Sequence, residues 1–504
     1  MYHKVVIIGM GAAALTAAAR LYELGISDIG IFGLGSGASP ELAAINFVLP
    51  GNPYNDTKEK YAEDILNTGY QIGNKALVEE MAQSTVKGFE LLVRWGVEFA
   101  KNSDGSTKLR HVSGHTFPRS LCSTERLIGI DIVNKIKNSL KEKGIKFYEK
   151  YECVKVLSDG NRVYGITVKD SEKNLENIYS EVVIAGWGGA GNLFGVSTYP
   201  DDIKGNTLSI AKEAGAELVD LEFLEFEPLV IVQPKGVFRE PCPTAMLGEG
   251  GYLLNNKGER FLLKVRPQGE AGSPKTLINK EVLKEIKAGN GTEKNGVYLD
   301  LRHIDVNVLK GYPWFYNKLI KNGVDPNKDL IEVSPISHSL SGGIKVNNLY
   351  ESTVKGFYAV GEACGGVHGA CRCAGNAGSQ AVISGLLCGE AIANTNLDQK
   401  MEKEFDIDYK IDKNIYEKYV PKIKEIAVKA LGIYRDGKTL EEAKKIISDI
   451  LEKDELAKDT ETLQIAESIY FMLKAASERK ESRGTHMRLD YPEESKEFEK
   501  EITI

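Results

Sequence analysis

The sequence predicts an α/β fold: a discontinuous domain around a parallel sheet, an inserted α+β domain and a C-terminal helical domain. Three observations carry this. The chain opens on HKVVIIGMGAAALTAAARLYELG, an apolar run, a glycine turn, then alanines and leucines at helical spacing. An apolar strand ending in glycine returns far downstream, between Val354 and Glu362. Charged residues with helical periodicity then fill the remainder.

Composition bounds the reading. The 504 residues carry 64 Lys+Arg against 71 Asp+Glu, a net charge of −7, with 42% hydrophobic and 27% charged residues. That is an ordinary globular balance, and it excludes disorder, collagen and coiled coil as whole-chain descriptions. No basic stripe advertises nucleic acid or an anionic membrane. Seven cysteines are too sparse and too odd in number for a disulfide framework. With no apolar run long enough to span a bilayer and a strand-like segment at Val5 to Ile8, a cytoplasmic location without a signal peptide is expected.

The elements follow in order. A second apolar strand, Ile29 to Phe32, stands at βαβ distance from the first. Tyr61 to Leu92 reads as helical, and Leu127 to Lys143 as an amphipathic helix ending at Gly144. Strands are predicted for Lys146 to Leu157 and Arg162 to Val168, and a third strand with a glycine loop at EVVIAGWGGAGN. Leu208 to Gly215 reads as a helix, after which Gly, Pro and Lys become frequent. Helical patterns recur at Ile411 to Leu431, Leu440 to Leu451 and Thr460 to Ala476. The expected domains are 1–227, an insert at 228–334, a return at 335–396 and a helical region at 397–504.

The glycines carry the first chemistry. Gly9, Gly11 and Ala14 form GxGxxA between a strand and a helix, where the first glycine allows the tight turn and the second lets a pyrophosphate approach the backbone. Gly33 stands where an acid normally holds a ribose hydroxyl, which argues against a nicotinamide dinucleotide. VKGFYAVGEACGG, from Val354 to Gly366, and VVIAGWGGAG, from Val182 to Gly191, add two more glycine loops. Three such loops point to FAD.

These motifs resemble the flavoprotein subunit of succinate dehydrogenase and fumarate reductase, a family that includes L-aspartate oxidase. The resemblance runs from Val5 to about Ala393 and returns in ERKESRGTHMRLDYPE; AKEAGAELVDLEFLEFEP, GEGGYLLNNKGERF, SHSLSGGI and GGVHGACRCAGNAGSQA lie between in matching order. It implies a discontinuous Rossmann-like FAD-binding domain and a capping domain that closes over the substrate. Gly9, Gly11, Ala13 and Ala14 would meet the pyrophosphate, with Ser39 near the flavin, Gly188 in the third loop and Glu362 on the ribityl chain. Asn206 stands where the family has Asp, and Asn376, Ala377 and Gly378 would line the isoalloxazine. The substrate-binding residues would be His338, in SHSLSGG, and Arg372, in the HGACR element that opens on His368. A guanidinium offers a carboxylate a planar fork and an imidazole adds a hydrogen bond. A structural ion pair for Arg372 and a satisfied polar residue for His338 remain the plain alternatives.

Departures matter as much. Phe226, Glu227 and Pro228 replace an FHP element, Thr244 and Leu247 replace an acid and an arginine, and Pro274, Lys275 and Thr276 stand at the catalytic arginine's element. Lys275 would relay a proton only if burial or a nearby cation lowered its pKa from ~10.4. Glu227 would repel a substrate carboxylate unless protonated or paired. SGASPELAA lacks the histidine that attaches FAD in respiratory members, so noncovalent FAD is expected. Cys364, Cys371 and Cys373 read as buried small residues or as a redox thiol, with no metal site. His115 and Arg119 in GHTFPRS would line the flavin pocket or a hinge, or sit in a solvated loop.

The leading expectation is a hydride transfer between flavin N5 and a carbon–carbon bond next to a carboxylate, using Arg372, His338, Lys275 and Glu227. An amino acid oxidase of the L-aspartate oxidase kind and an electron-transfer or assembly subunit are the alternatives. A small carboxylic acid is the expected partner, with room for an electron-donor protein or iron–sulfur subunit.

Overall fold

The structure, a computed structural model, describes residues 1–124, 126–397 and 403–504. Residues 398–402, near the start of the predicted helical region, lie outside the described residues.

A five-stranded parallel sheet organises the first unit. Its strands are β1 (Val5–Ile8), β2 (Ile29–Gly33), β3 (Lys146–Glu149), β4 (Val182–Ala185) and β5 (Phe357–Ala359), in the order β5-β4-β1-β2-β3. β1 and β4 are apolar and buried at every position, as expected of central strands covered on both faces. Helix α1 (Ala12–Glu23) owes its start to the turn at Gly11 and its stability to alanines, the best helix formers. It lies against α2 (Asn376–Ala393) at close range: a Cβ on Gly385 would stand 2.4 Å from Ala13 O. Arg20 of α1 pairs with Glu390 of α2 at 2.6 Å.

The chain forms two compact units. The first comprises Met1–Gly195, Tyr199–Leu224 and Ser339–Ile504, the second Val196–Thr198 and Glu225–His338. The second unit has a four-stranded sheet in the order Leu224–Gln233, Ile331–Leu340, Val297–Asp300, Tyr252–Leu254. Leu229, Ile231, Phe261, Leu299 and Val333 lie in its core, with helices Lys275–Lys287 and Pro313–Lys321 beside them.

The C-terminal helices, Lys413–Ala430, Gly437–Leu451 and Thr460–Glu478, belong to the first unit, and each starts at an aspartate whose side chain caps it. Beyond Glu478 the ERKESRGTHMRLDYPE element is not helical. Its arginines turn inward, and Arg479 binds Glu222 at 2.6 Å with both side chains fully buried. Among the described residues, no helix is long and apolar enough to cross a membrane.

Two predicted elements are broken. The helical stretch from Tyr61 to Leu92 is three helices, Lys58–Thr68, Lys75–Gln83 and Thr85–Arg94; Tyr70 and Gln71 adopt left-handed backbone in the first break, and the second falls at Ser84. The strand predicted from Lys146 to Leu157 divides at Lys150, also left-handed, into β3 and a strand Glu152–Ser158 of another sheet. None of the three left-handed residues at these breaks is a glycine.

Candidate active site

The turn from β1 to α1 is a cradle with no room for a side chain at Gly9 or Gly11. Gly9 has φ +101°, and its Cβ would lie 2.2 Å from Gly186 O; one on Gly11 would lie 2.7 Å from Ser39 Oγ. Ala14 packs against Gly186, joining the first glycine loop to the third. The Ala12 N–H donates to Ser39 Oγ at 2.8 Å. The N–H groups of Ala13 and Ala14 have no acceptor within the helix, and no acidic side chain lies in that first turn. Such a donor set fits the pyrophosphate of FAD.

The third loop is cut to accept Glu362. A Cβ on Gly189 would meet Glu362 Oε1 at 2.5 Å and Tyr199 OH at 2.9 Å, and Gly188, at φ +80°, faces Ile203. Glu362 accepts hydrogen bonds from the Tyr199 hydroxyl and from Leu340 N. Burial pushes its carboxyl up to about 7, against the lowering effects of the Leu340 N–H and the Arg372 charge.

At the start of α2, Gly375 adopts φ +80° with the Asn46 amide where its Cβ would be. Asn376 Oδ1 accepts from Asn46 Nδ2 at 2.7 Å and from Tyr61 OH at 2.8 Å. Ala377 and Gly378 follow in the first turn, which carries no acidic residue. Just upstream, the half-buried Arg372 reaches Ser339 Oγ at 3.4 Å and Cys373 O at 3.5 Å. A guanidinium and a helix N-terminus thus lie together in sequence, both suited to an anion.

Other predicted residues have different surroundings. Asn206 is buried and donates to Gln464 Oε1 at 2.9 Å, so its side chain is engaged by a C-terminal helix. His368 is buried and bonds Gln380 Oε1 through Nε2 at 2.7 Å. Cys364 and Cys373 are buried, and burial pushes both thiols up to about 12, which makes them inert packing residues; Cys371 is partly exposed. Among the described residues, no group of three His, Cys, Asp or Glu is placed to hold a metal.

His115 and Arg119 do not sit in a solvated loop. Arg119 is 1% exposed and bound to Asp56 at 2.7 and 2.8 Å and to Asp64 at 2.7 Å. His115 is buried beside it, and burial, then the Arg119 charge, hold its pKa down to about 4. Asp56, Asp64, Asn46 and Tyr61 escaped sequence reasoning, since each looks like an ordinary member of a charged loop or amphipathic helix.

In the second unit three predicted residues meet. Lys275 Nζ lies 2.5 Å from Glu227 Oε2, and His338 Nε2 lies 4.0 Å from the same oxygen. Glu227 is therefore paired, which answers the charge problem the sequence raised. The neighbour of Lys275 is an anion, and its side chain is 31% exposed, so neither deep burial nor an adjacent cation acts on it as the sequence argument required. Lys275 is the first residue of the helix Lys275–Lys287. Thr198, which no motif marked, bonds His338 Nδ1 through Oγ1 at 2.9 Å.

Comparison with known proteins agrees with this architecture. A model described as FAD binding domain matches residues 4–377, and one described as fumarate reductase flavoprotein C-term matches residues 421–502. An uncharacterized FAD-dependent oxidoreductase of Methanocaldococcus jannaschii is 30% identical over 100% of this chain and 96% of its own. A fumarate reductase (CoM/CoB) polypeptide of Methanothermobacter marburgensis is 27% identical over 99% and 96%. An L-aspartate oxidase of Bacillus subtilis is 29% identical over 97% and 91%. The fold matches a quinol fumarate reductase of E. coli with a TM-score of 0.86 at 23% identity, over 98% of this chain and 93% of that one.

Proposed function

The chain belongs to the FAD-binding fumarate reductase and succinate dehydrogenase flavoprotein family, and on that premise we propose that it transfers hydride between flavin N5 and a carbon–carbon bond next to a carboxylate. It is an FAD-dependent oxidoreductase. In this reading the β1–α1 turn and Glu362 hold FAD without a covalent link. Bound FAD supplies the redox chemistry, a hydride given or taken at N5.

Arg372 binds the substrate carboxylate through its planar fork, and the backbone amides of Ala377 and Gly378 at the start of α2 would face the isoalloxazine of bound FAD. His338 adds a hydrogen bond to the acid, its ring fixed by Thr198. Glu227 orients the Lys275 ammonium, which donates the proton that the second carbon takes up in the reducing direction. The observation that carries the reading is Arg372 just before a helix whose first turn has no acidic residue. Electrons reach the flavin from a separate donor protein or iron–sulfur subunit.

The test is anaerobic. The dithionite-reduced protein is mixed with a panel of unsaturated acids, fumarate first, and flavin absorbance is followed. Rapid reoxidation by one acid supports the reading; inertness to all of them overturns it. Similarity to L-aspartate oxidase favours a second reading, amino acid oxidation, in which Glu227 exchanges Lys275 for the substrate amine. Bleaching of the oxidised flavin by an amino acid would decide for it.

A further inference from the structure

The turn Ala374–Asn376, between Arg372 and α2, hangs from a buried cluster that the proposed chemistry does not use. Ala374 O is bonded by His115 Nε2 at 3.0 Å and Asn46 Nδ2 at 2.7 Å. Asn376 is held by Asn46 and Tyr61. Arg119 stacks over the Tyr61 ring at 4.7 Å and bonds His115 Nδ1 at 3.1 Å. A guanidinium only donates, so His115 Nδ1 must accept, and its proton sits on Nε2, aimed at Ala374 O. Asp56 and Asp64 fix Arg119, while the N–H and hydroxyl of Thr116 bind Asp64 at 2.9 and 2.6 Å.

We propose that His115, its tautomer set by Arg119, is a positioning residue that fixes the Ala374–Asn376 turn, and through it both the first-turn amides of α2 and the bearing of Arg372. The Arg372 half rests on the reading that Arg372 binds the substrate acid; the α2 half rests only on FAD binding. A buried ion cluster adds little net stability compared with apolar packing, and its best-attested use is to specify one geometry. Here the geometry is a left-handed glycine flanked by two anchored residues, which leaves the turn little freedom.

The test compares His115→Leu, which removes the donor, with His115→Gln, whose amide nitrogen can reach where Nε2 stood. Each holoprotein is measured for FAD dissociation constant, visible flavin spectrum and fumarate affinity read from the flavin difference spectrum. The expected result is a tenfold or greater weakening of FAD and a shifted spectrum in the leucine variant, largely restored in the glutamine variant. If the leucine variant does not accumulate, His115→Asn, polar but too short to reach Ala374, takes its place. The proposal is overturned if FAD affinity and spectrum are unchanged, or if the leucine and glutamine variants are equally impaired and lose melting temperature in parallel. Loss of fumarate affinity in Arg372→Ala tests the reading of Arg372 by itself. Should that variant bind fumarate normally while the leucine variant shifts the flavin, the Arg372 reading fails and the positioning of α2 stands.

Discussion

Lys275 Nζ and Glu227 Oε2 lie 2.5 Å apart, with His338 Nε2 4.0 Å from the same carboxylate oxygen. A lysine that opens a helix and is pinned by one carboxylate is oriented for proton delivery. Lys275→Met should slow reoxidation of the reduced flavin by about 10²–10⁴-fold, the usual worth of a general acid. FAD content should be unchanged. Single-turnover absorbance with the accepted acid checks this, and an undiminished rate would remove Lys275 from the mechanism.

Arg372→Ala should lower kcat/KM for the accepted acid by about 10²–10³-fold, since charge-assisted bidentate bonds to a carboxylate are lost. Arg372→Lys should rescue little, because an ammonium lacks the planar fork. Steady-state kinetics on the FAD-loaded variants decide it. Equal activity in the lysine variant would mean that only charge matters there.

The parts of this site that were legible in the sequence are local ones. Gly9, Gly11 and Ala14 announce themselves because turn, helix start and phosphate approach occupy a few adjacent residues. Arg372 and His338 were reached by resemblance of short motifs. What stayed hidden depends on distant partners: Asn206 binds Gln464, 258 positions away, and nothing near either residue signals it. His115 and Arg119 were visible as a motif, yet their burial depends on Asp56 and Asp64 arriving from other segments. The breaks at Tyr70 and Lys150 were missed because their left-handed backbone falls on residue types that rarely adopt it.

Glu362 gives a pH dependence. Its folded carboxyl is raised from 4.5 to about 7, so below about pH 4.5 it is protonated in folded and unfolded chains alike. As pH rises to about 7, the unfolded chain loses the proton and the folded one keeps it, so stability falls, then levels off. The cofactor-free protein should lose on the order of 2–3 kcal/mol across that window. Urea unfolding of the wild type against Glu362→Gln checks it: the difference between them should carry this slope, and a pH-independent difference would refute it.

The flavin should come off intact. SGASPELAA offers no histidine for a covalent bond, and Ser39, the hydroxyl nearest the start of α1, is engaged by Ala12 N. Acid precipitation should leave all the FAD in the supernatant and a colourless pellet. Yellow protein after denaturation, with a mass increased by FAD, would contradict noncovalent binding.

Arg479 tests the tail that supports the FAD unit. It bonds Glu222 at 2.6 Å, Glu481 at 2.9 Å and two backbone carbonyls, with all three side chains wholly buried. Burial raises the Glu222 carboxyl, and the Arg479 charge works against that rise. Arg479→Met should therefore strand a buried carboxylate and cost about 3–5 kcal/mol. With the arginine gone, Glu222 takes up a proton more readily, and protonation removes the stranded charge. The deficit relative to wild type should shrink as pH is lowered from about 8 to about 5. Adding Glu222→Gln to Arg479→Met should recover part of the loss at about pH 8 and little at about pH 5. Denaturant unfolding of the wild type and both variants at the two pH values measures this; a deficit that does not change with pH, and that Glu222→Gln leaves untouched, would assign the cost to lost packing.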